Sequence, residues 1–302
     1  MSEEEFILED RVAKIRATVN MYGEENFYIA FSGGKDSCVL SELVDTALPG
    51  NQIPRVYSDT GIELNMVRDF CYKKQSEDAR LHIIKPHVPI KPMLEREGYP
   101  FKSKNHARMV ERYQRKGRVD SVESYLGNGR WGKMLQCPKM LKYQFTEEFT
   151  QRIHLSDHCC INMKEAPLER WAAENGRSIA IIGVMQAEGG RRRNAKCLAF
   201  NGDALKAFQP LSVVTKDWEE WFIKTRNIDI CDIYNPPYNF VRTGCKGCPF
   251  ALFLQNALDT LEKFFPEERK QCEIIWKPVY EEYRRLGYRL NKDCNDEYGL
   301  CA

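Results

Sequence analysis

The chain is predicted to be an α/β protein built on a parallel sheet, with a smaller helical and loop-rich C-terminal portion. Three observations lead there. Short apolar runs suited to strands alternate with amphipathic stretches suited to helices, the order that buries a parallel sheet on both faces. The first run ends in Phe31-Ser32-Gly33-Gly34-Lys35-Asp36-Ser37, a strand–glycine–helix sequence. Finally, 302 residues with 43% apolar content are enough for a substantial core in one large or two small domains.

Taken in order, Leu8, Val12, Ile15 and Val19 place one apolar stripe on a helix from about residue 5 to 22. Strands are predicted at 28–31, 55–58, 81–85 and 178–184, and helices at 38–47, 64–79, 139–152 and 164–175. After Pro210 the pattern weakens. Asn235-Pro236-Pro237-Tyr238 reads as a loop, and 251–288 as largely helical with breaks near Pro266 and Pro278. The domain division expected from this pattern is 1–210 for a nucleotide-binding α/β domain and 211–302 for the C-terminal portion carrying a second cysteine pair.

The apolar runs are too short to cross a bilayer and the N-terminus is acidic, so a cytoplasmic protein with no membrane partner is expected. In that compartment twelve cysteines suggest thiols and metal ligands rather than disulfides. The net charge of +2 does not mark the whole chain as a nucleic-acid binder. Residues 101–118 depart from that balance. Lys102, Lys104, Arg108, Arg112, Arg115, Lys116 and Arg118 face a single acid, Glu111. The segment reads as a helix from Ser103 to Arg118, either a solvated face or a contact for nucleic acid or nucleotide phosphate.

A loop of bare backbone N–H groups at a helix N-terminus is a phosphate cradle. Gly33 and Gly34 let the backbone approach a ligand, Lys35 adds a mobile charge, and Ser32 and Ser37 add hydroxyls. Asp36 and Glu188 are hard oxygen donors suited to magnesium, and Arg191, with Arg192 or Arg193, is suited to a phosphate or sulfate clamp. The second signal is Cys159-Cys160 with a distant Cys245-Lys246-Gly247-Cys248. Two paired sites close a four-thiolate centre. Adjacent cysteines suit two irons of a cluster better than one zinc, although zinc stays open on spacing alone.

The residue 32–37 loop resembles the pyrophosphate loop (PP-loop) of ATP pyrophosphatases and their sulfonucleotide-reductase relatives, and differs from the Walker spacing. Cys159-Cys160-Ile161-Asn162-Met163-Lys164-Glu165-Ala166-Pro167-Leu168 resembles the cysteine-pair segment of adenylyl-sulfate reductases. Further segments are similar to the phosphoadenosine-phosphosulfate (PAPS) reductase superfamily. These are Asp59-Thr60-Gly61-Ile62-Glu63, the stretch from Gly183 to Arg191 with Met185 in place of an arginine, Pro210-Leu211 with Trp218, and Arg242-Thr243-Gly244-Cys245. The resemblance implies an adenine nucleotide alpha hydrolase-like (PP-loop) fold. It also implies ATP with Mg2+ on Ser32, Gly33, Gly34, Lys35, Asp36 and Ser37, helped by Asp59, Thr60, Gly61, Lys164, Gly183, Glu188 and Arg191. A 4Fe–4S cluster is implied on Cys159, Cys160, Cys245 and Cys248.

Two departures from the reductases shape the expected chemistry. Their C-terminal tail carries a nucleophilic cysteine where this chain has Tyr298, leaving Cys301, or Cys294, as a displaced candidate. Their loop is usually degraded because their substrate has no pyrophosphate to lose, whereas here it is intact. The expected function is therefore ATP cleavage to pyrophosphate with adenylation of an acceptor oxygen for sulfur incorporation, in tRNA or DNA, served by a sulfur donor protein. Lys35, Asp36, Arg191 and Cys301 are the candidate catalytic residues. The alternatives are reduction of adenylyl sulfate or its 3′-phosphate to sulfite, and a non-catalytic nucleotide- and cluster-binding partner.

Overall fold

The computed structural model describes residues 1–128 and 136–292. Six strands form one sheet in the order β3-β2-β1-β4-β6-β5. They are β1 (Phe27–Phe31), β2 (Arg55–Ser58), β3 (Leu81–Ile84), β4 (Ile179–Ile181), β5 (Leu198–Asn201) and β6 (Ala204–Phe208). All pairings are parallel except β5 with β6. The helices, in chain order, are α1 (Glu3–Tyr22), α2 (Lys35–Ala47), α3 (Asn65–Glu77), α4 (Ile90–Glu97), α5 (Lys104–Lys116), α6 (Asp120–Leu126), α7 (Glu147–Arg152), α8 (His158–Cys160), α9 (Ala166–Glu174), α10 (Lys216–Arg226), α11 (Leu254–Phe264), α12 (Pro266–Ile275) and α13 (Lys277–Leu286).

The chain groups into two compact units that interleave along the sequence. The first is Met1–Pro86 with Lys164–Gly244, and the second is His87–Met163 with the segment that begins at Cys245. The predicted division at residue 210 runs along the chain. In space, the long β3-to-β4 connection leaves the first unit and associates with the C-terminal segment.

The first unit holds the sheet. Alternation along β1 sends Phe27 and Ile29 into a core with Ile15 and Val19 of α1, Leu40 and Leu43 of α2, and Trp218 and Phe222 of α10. Tyr28 faces the other way, against Val56 and Ala172, with Leu168 and Trp171 packed alongside. Both faces are therefore covered, which is why the strands read as nearly continuous apolar runs.

All four predicted strands are present, three of them within a residue of their expected ends; the fourth, β4, is shorter than predicted. The β5–β6 hairpin and α10 went unforeseen because Ala204–Phe208 alternates Ala and Lys with its apolar residues. The single helix predicted over 139–152 is a correction. A 3-10 segment, Lys139–Gln144, ends before Thr146, whose hydroxyl accepts from the Phe149 N–H at 3.3 Å and caps a new helix, α7. In the second unit Pro266 and Pro278 sit in the first turns of α12 and α13, where a missing N–H costs nothing. No helix among the described residues is long and apolar enough to cross a membrane.

Candidate functional site

In the first unit, β1 ends at Phe31 and α2 begins at Lys35 with Gly34 as its N-cap. The turn between them needs Gly33. Its φ is +68°, and a side chain there would run into Cys71 and Val67. The Ser37 hydroxyl accepts from the Ser32 N–H at 3.3 Å and donates to the Gly34 carbonyl at 2.7 Å, so it staples the loop. The loop donors are not all bare, as the sequence suggested. The Gly34 N–H reaches Ser32 Oγ at 3.3 Å, and the Lys35 N–H reaches Tyr234 Oη at 3.1 Å. Burial pushes the Tyr234 phenol up to about 12, so it stays neutral, and it is also hydrogen-bonded to Thr243 Oγ1 at 2.7 Å.

The loop opens onto a cavity of about 230 Å³ at the carboxyl edge of the sheet, where open α/β folds bind ligands. Ser32, Gly34, Lys35, Asp36 and Ser37 line it from one side, and Gly183 and Met185 line it after β4. Arg192 contributes from a 3-10 turn, Gly190–Asn194, Arg242 and Thr243 from a loop, and Lys216 and Glu219 from α10. Thr215 caps α10 by accepting from the Trp218 N–H at 3.2 Å. That start puts Lys216 and Glu219, three apart, on the cavity side while Trp218 and Phe222 enter the core.

Glu219 is the residue that sequence reasoning missed. Its side chain is 1% exposed, and Lys35 Nζ lies 3.2 Å from its Oε2. Burial first, and then the charge of Asp36, push its carboxyl up to about 7; Lys35 opposes both. Neither Glu219 oxygen has a hydrogen bond, so the Lys35 contact is an ion pair without hydrogen-bond geometry. The available signal was an acid one residue after Trp218 on a helix whose next apolar position is core. Only the fold shows what that acid faces.

The Asp59-Thr60-Gly61 loop does not line this cavity. Its groups serve one another. Asp59 accepts from the Gly61 N–H at 3.2 Å and the Tyr72 hydroxyl at 3.0 Å, while the Thr60 hydroxyl donates to Glu63 at 2.6 Å. Lys164 pairs with Glu63 Oε1 at 3.2 Å. The side chains of Glu188 and Arg191, and residues Cys294, Tyr298 and Cys301, lie outside what the structure describes.

In the second unit the four cysteines singled out from sequence come together. Cys159 is buried, and Cys160, Cys245 and Cys248 are half-buried. The neighbouring Cys160 thiol, then burial, then Cys248 and Cys245 hold the Cys159 thiol far above the ordinary thiol range. A set of mutually repelling thiolates requires a cationic group to form. Cys159 and Cys160 end α8, and the backbone passes into a π-helical turn, Ile161–Glu165.

The Cys245–Cys248 turn is held from α12 and α13. The Trp276 indole donates to the Lys246 carbonyl at 3.0 Å, Tyr280 to the Gly247 carbonyl at 2.5 Å, and Tyr283 to the Pro249 carbonyl at 2.8 Å. The buried Lys246 ammonium is matched by Glu268 at 3.0 Å and Gln271 at 2.7 Å. The carbonyls of Lys246, Gly247 and Pro249 are thus held by side chains far along the chain, and those of Cys245 and Cys248 by the local N–H groups of Cys248 and Ala251, so the turn is shaped before any ligand arrives.

Beside the cysteine pair, His158 lies 3.4 Å from Glu97 and 3.4 Å from Glu111, and its ring nitrogen, Glu111 and Asp157 place ligand-type atoms within 4.8 Å of one another. Arg108 pairs with Asp157 at 2.5 Å and Arg115 with Glu111 at 3.3 Å. On the same α5 segment Arg112 donates to Ser121 at 2.7 Å, and beyond it Arg118 pairs with Glu123 at 3.0 Å. Much of the basic run over 103–118 is therefore engaged inside the second unit.

Residues 119–251 match the family described as the phosphoadenosine phosphosulfate reductase domain, which bears out the resemblance to that superfamily. No curated protein matches the chain. Among solved structures, phosphoadenylyl-sulfate (PAPS) reductase from Candida auris is similar at 13% identity over 78% of this chain and 92% of that one, with a TM-score of 0.38. The U34-tRNA thiolase NcsA from Methanococcus maripaludis, with its 4Fe–4S cluster, is similar at 16% identity over 99% and 85%, with a TM-score of 0.37. An NH3-dependent NAD synthetase from Campylobacter jejuni is similar at 12% identity over 94% and 96%, with a TM-score of 0.42.

Proposed function

We propose, starting from the phosphoadenosine phosphosulfate reductase domain matched over residues 119–251, that the protein cleaves ATP between its α- and β-phosphates and adenylates an acceptor oxygen that is then exchanged for sulfur. The observation that carries this reading is the cavity at the residue 32–37 loop. Lys35, Arg192, Lys216 and Arg242 line it together with a glycine turn at a helix N-terminus. Four cations around a helix N-terminus suit a polyphosphate. The acceptor oxygen attacks the α-phosphorus, and the bridging oxygen leaves with its electron pair on pyrophosphate. Lys35 is proposed to stabilise that developing charge, and Arg191 with Arg192 to hold the α-phosphate. Asp36 is proposed as a ligand of the Mg2+ that accompanies ATP. A sulfur nucleophile from a donor protein then displaces AMP from the activated carbon or backbone atom.

Cys159, Cys160, Cys245 and Cys248 are the proposed ligands of a 4Fe–4S cluster. The donor set fits such a group, since all four are thiols, they share one neighbourhood, and the ionisation of Cys159 is disfavoured without a compensating cation. A cluster held there would supply iron able to carry sulfide. The exposed guanidiniums of Arg115 and Arg118 are the proposed contacts for a nucleic-acid acceptor along 103–118.

Reduction of adenylyl sulfate is the second reading, and the domain match itself favours it. In that case a cysteine thiolate, Cys301 or Cys294, attacks sulfur and AMP leaves. The test gives anaerobically purified protein either magnesium ATP, with and without tRNA or DNA, or adenylyl sulfate with a thiol reductant. Pyrophosphate formed only when nucleic acid is present supports the first reading. Sulfite formation abolished by Cys301→Ser replaces it with the second. Nucleotide binding with neither product leaves a non-catalytic binding partner.

A further inference from the structure

The second unit gathers a set of donors that neither the nucleotide cavity nor the cysteine pairs account for. Glu111 on α5, with Asp157 and His158 at the start of α8, place one ligand-type atom each within 4.8 Å of one another. Both carboxylates are buried, while the His158 side chain is 32% exposed and leaves an entry path from solvent. Each of the three is oriented by a further group. His158 Nδ1 is hydrogen-bonded to Glu97 Oε2 at 3.4 Å, which turns Nε2 towards Glu111. Arg115 holds Glu111 by Oε1 at 3.3 Å, and Arg108 holds Asp157 by Oδ2 at 2.5 Å.

Glu111 presents its other oxygen, Oε2, to His158 Nε2 at 3.4 Å. With its proton on Nδ1 facing Glu97, a neutral imidazole points the Nε2 lone pair at that oxygen. The arrangement repels unless a cation lies between the two atoms or the ring carries a second proton. Ligand bonds of about 2.0–2.1 Å to a zinc-sized ion put neighbouring tetrahedral donors about 3.3–3.4 Å apart, the separation that Nε2 and Oε2 already have. A carboxylate behind the far ring nitrogen is also how metal-bound histidines are held. We infer that Glu111, Asp157 and His158 form a site for a divalent first-row metal ion, bound by one imidazole nitrogen and two carboxylates. Glu97, Arg108 and Arg115 position those ligands. The site uses no residue of the nucleotide cavity and none of the four proposed cluster ligands. An ion bound there ties α5 to the residue that precedes Cys159.

The experiment titrates the full chain, purified anaerobically and free of nucleotide, with MnCl2 and follows free Mn2+ by electron paramagnetic resonance. Mn2+ is the probe because carboxylates suit it while soft thiolates select other metals. Bound Mn2+ should show the nitrogen modulation of a coordinated imidazole in electron spin echo spectra. Among the described residues no histidine lines the nucleotide cavity, so Mn2+ held there lacks this signature. His158→Gln should abolish the modulation, and His158→Gln and Glu111→Gln should each weaken binding at least about tenfold. Glu97→Gln should weaken binding about tenfold and keep the modulation, because Glu97 positions the ring without touching the metal. Circular dichroism melts confirm that the variants fold, and His158→Gln, at a half-exposed position, carries the test if Glu111→Gln does not. Wild-type protein that binds no Mn2+, or binds it without the imidazole signature, overturns the inference and leaves an ion-pair network only. Unchanged Mn2+ affinity and modulation in folded His158→Gln overturns it equally.

Discussion

Replacing Gly247 with alanine should damage both stability and the proposed cluster. Gly247 has φ +59°, where alanine costs about 1 kcal/mol relative to glycine. The new methyl group would also collide with the Tyr280 hydroxyl and lie 2.8 Å from Cys272 Sγ. Tyr280 donates to the Gly247 carbonyl at 2.5 Å, so moving it leaves a buried phenol and a carbonyl unpaired, roughly 1–3 kcal/mol more. The sum is about 3 kcal/mol, a large fraction of a typical folding free energy of roughly 5–15 kcal/mol. That corresponds to a melting-temperature drop of about 6–12 °C, read by circular dichroism. Tyr280→Phe isolates the hydrogen bond and should cost about 1 kcal/mol, with a correspondingly smaller shift. Iron and acid-labile sulfide per chain, measured on anaerobic protein, should fall in Gly247→Ala and largely survive in Tyr280→Phe. A Gly247→Ala protein that melts within about 2 °C of wild type and keeps its iron would refute the reasoning about this turn.

Lys35→Ala should weaken ATP binding by about 1.5–3 kcal/mol, the size of a charge-assisted contact, and calorimetry showing unchanged affinity would remove Lys35 from the site. Cys245→Ser or Cys248→Ser should bleach anaerobic protein and lower its iron, whereas stoichiometric zinc without iron in the wild type would defeat the cluster assignment. His106 offers a pH test in the second unit. It is buried against Tyr125 at 2.9 Å and Gln144 at 2.7 Å, and burial lowers it from 6.5 to about 4. Because the folded value lies below the unfolded one, its contribution is complete above pH 6.5 and is lost as pH falls through 6.5 towards 4. The loss is on the order of 3 kcal/mol. Denaturant melts between pH 7 and pH 4 should show this part of the acid destabilisation disappear in His106→Gln, and an unchanged profile would show that the imidazole is not responsible.

The strand–glycine–helix sequence at 27–47 could be read from the chain because each part is local. Apolar alternation sets the strand, Gly33 permits the turn, and the helix follows within a few residues. The cysteine pairs were equally readable as pairs, since adjacency and a two-residue spacing are properties of the sequence alone. What surrounds them was not. Nothing near Cys245 indicates that Trp276, Tyr280 and Tyr283 will each hold a carbonyl of that turn. The basic run over 103–118 was visible as charge, but its internal partners Ser121, Glu123 and Asp157 lie on other segments.

Local periodicity and turn chemistry were therefore enough, before any coordinates, to indicate a parallel α/β sheet, the glycine turn at the end of its first strand, and the two cysteine pairs proposed as metal ligands. Folding added the pairings between residues remote in sequence. The β3-to-β4 connection joins the C-terminal segment in a second unit, and α10 carries Glu219 to Lys35 and Asp36. The physical reason lies in the range of each effect. Backbone conformation is biased by neighbours a few residues away, whereas burial and the opposition of charges exist only once distant segments share a space.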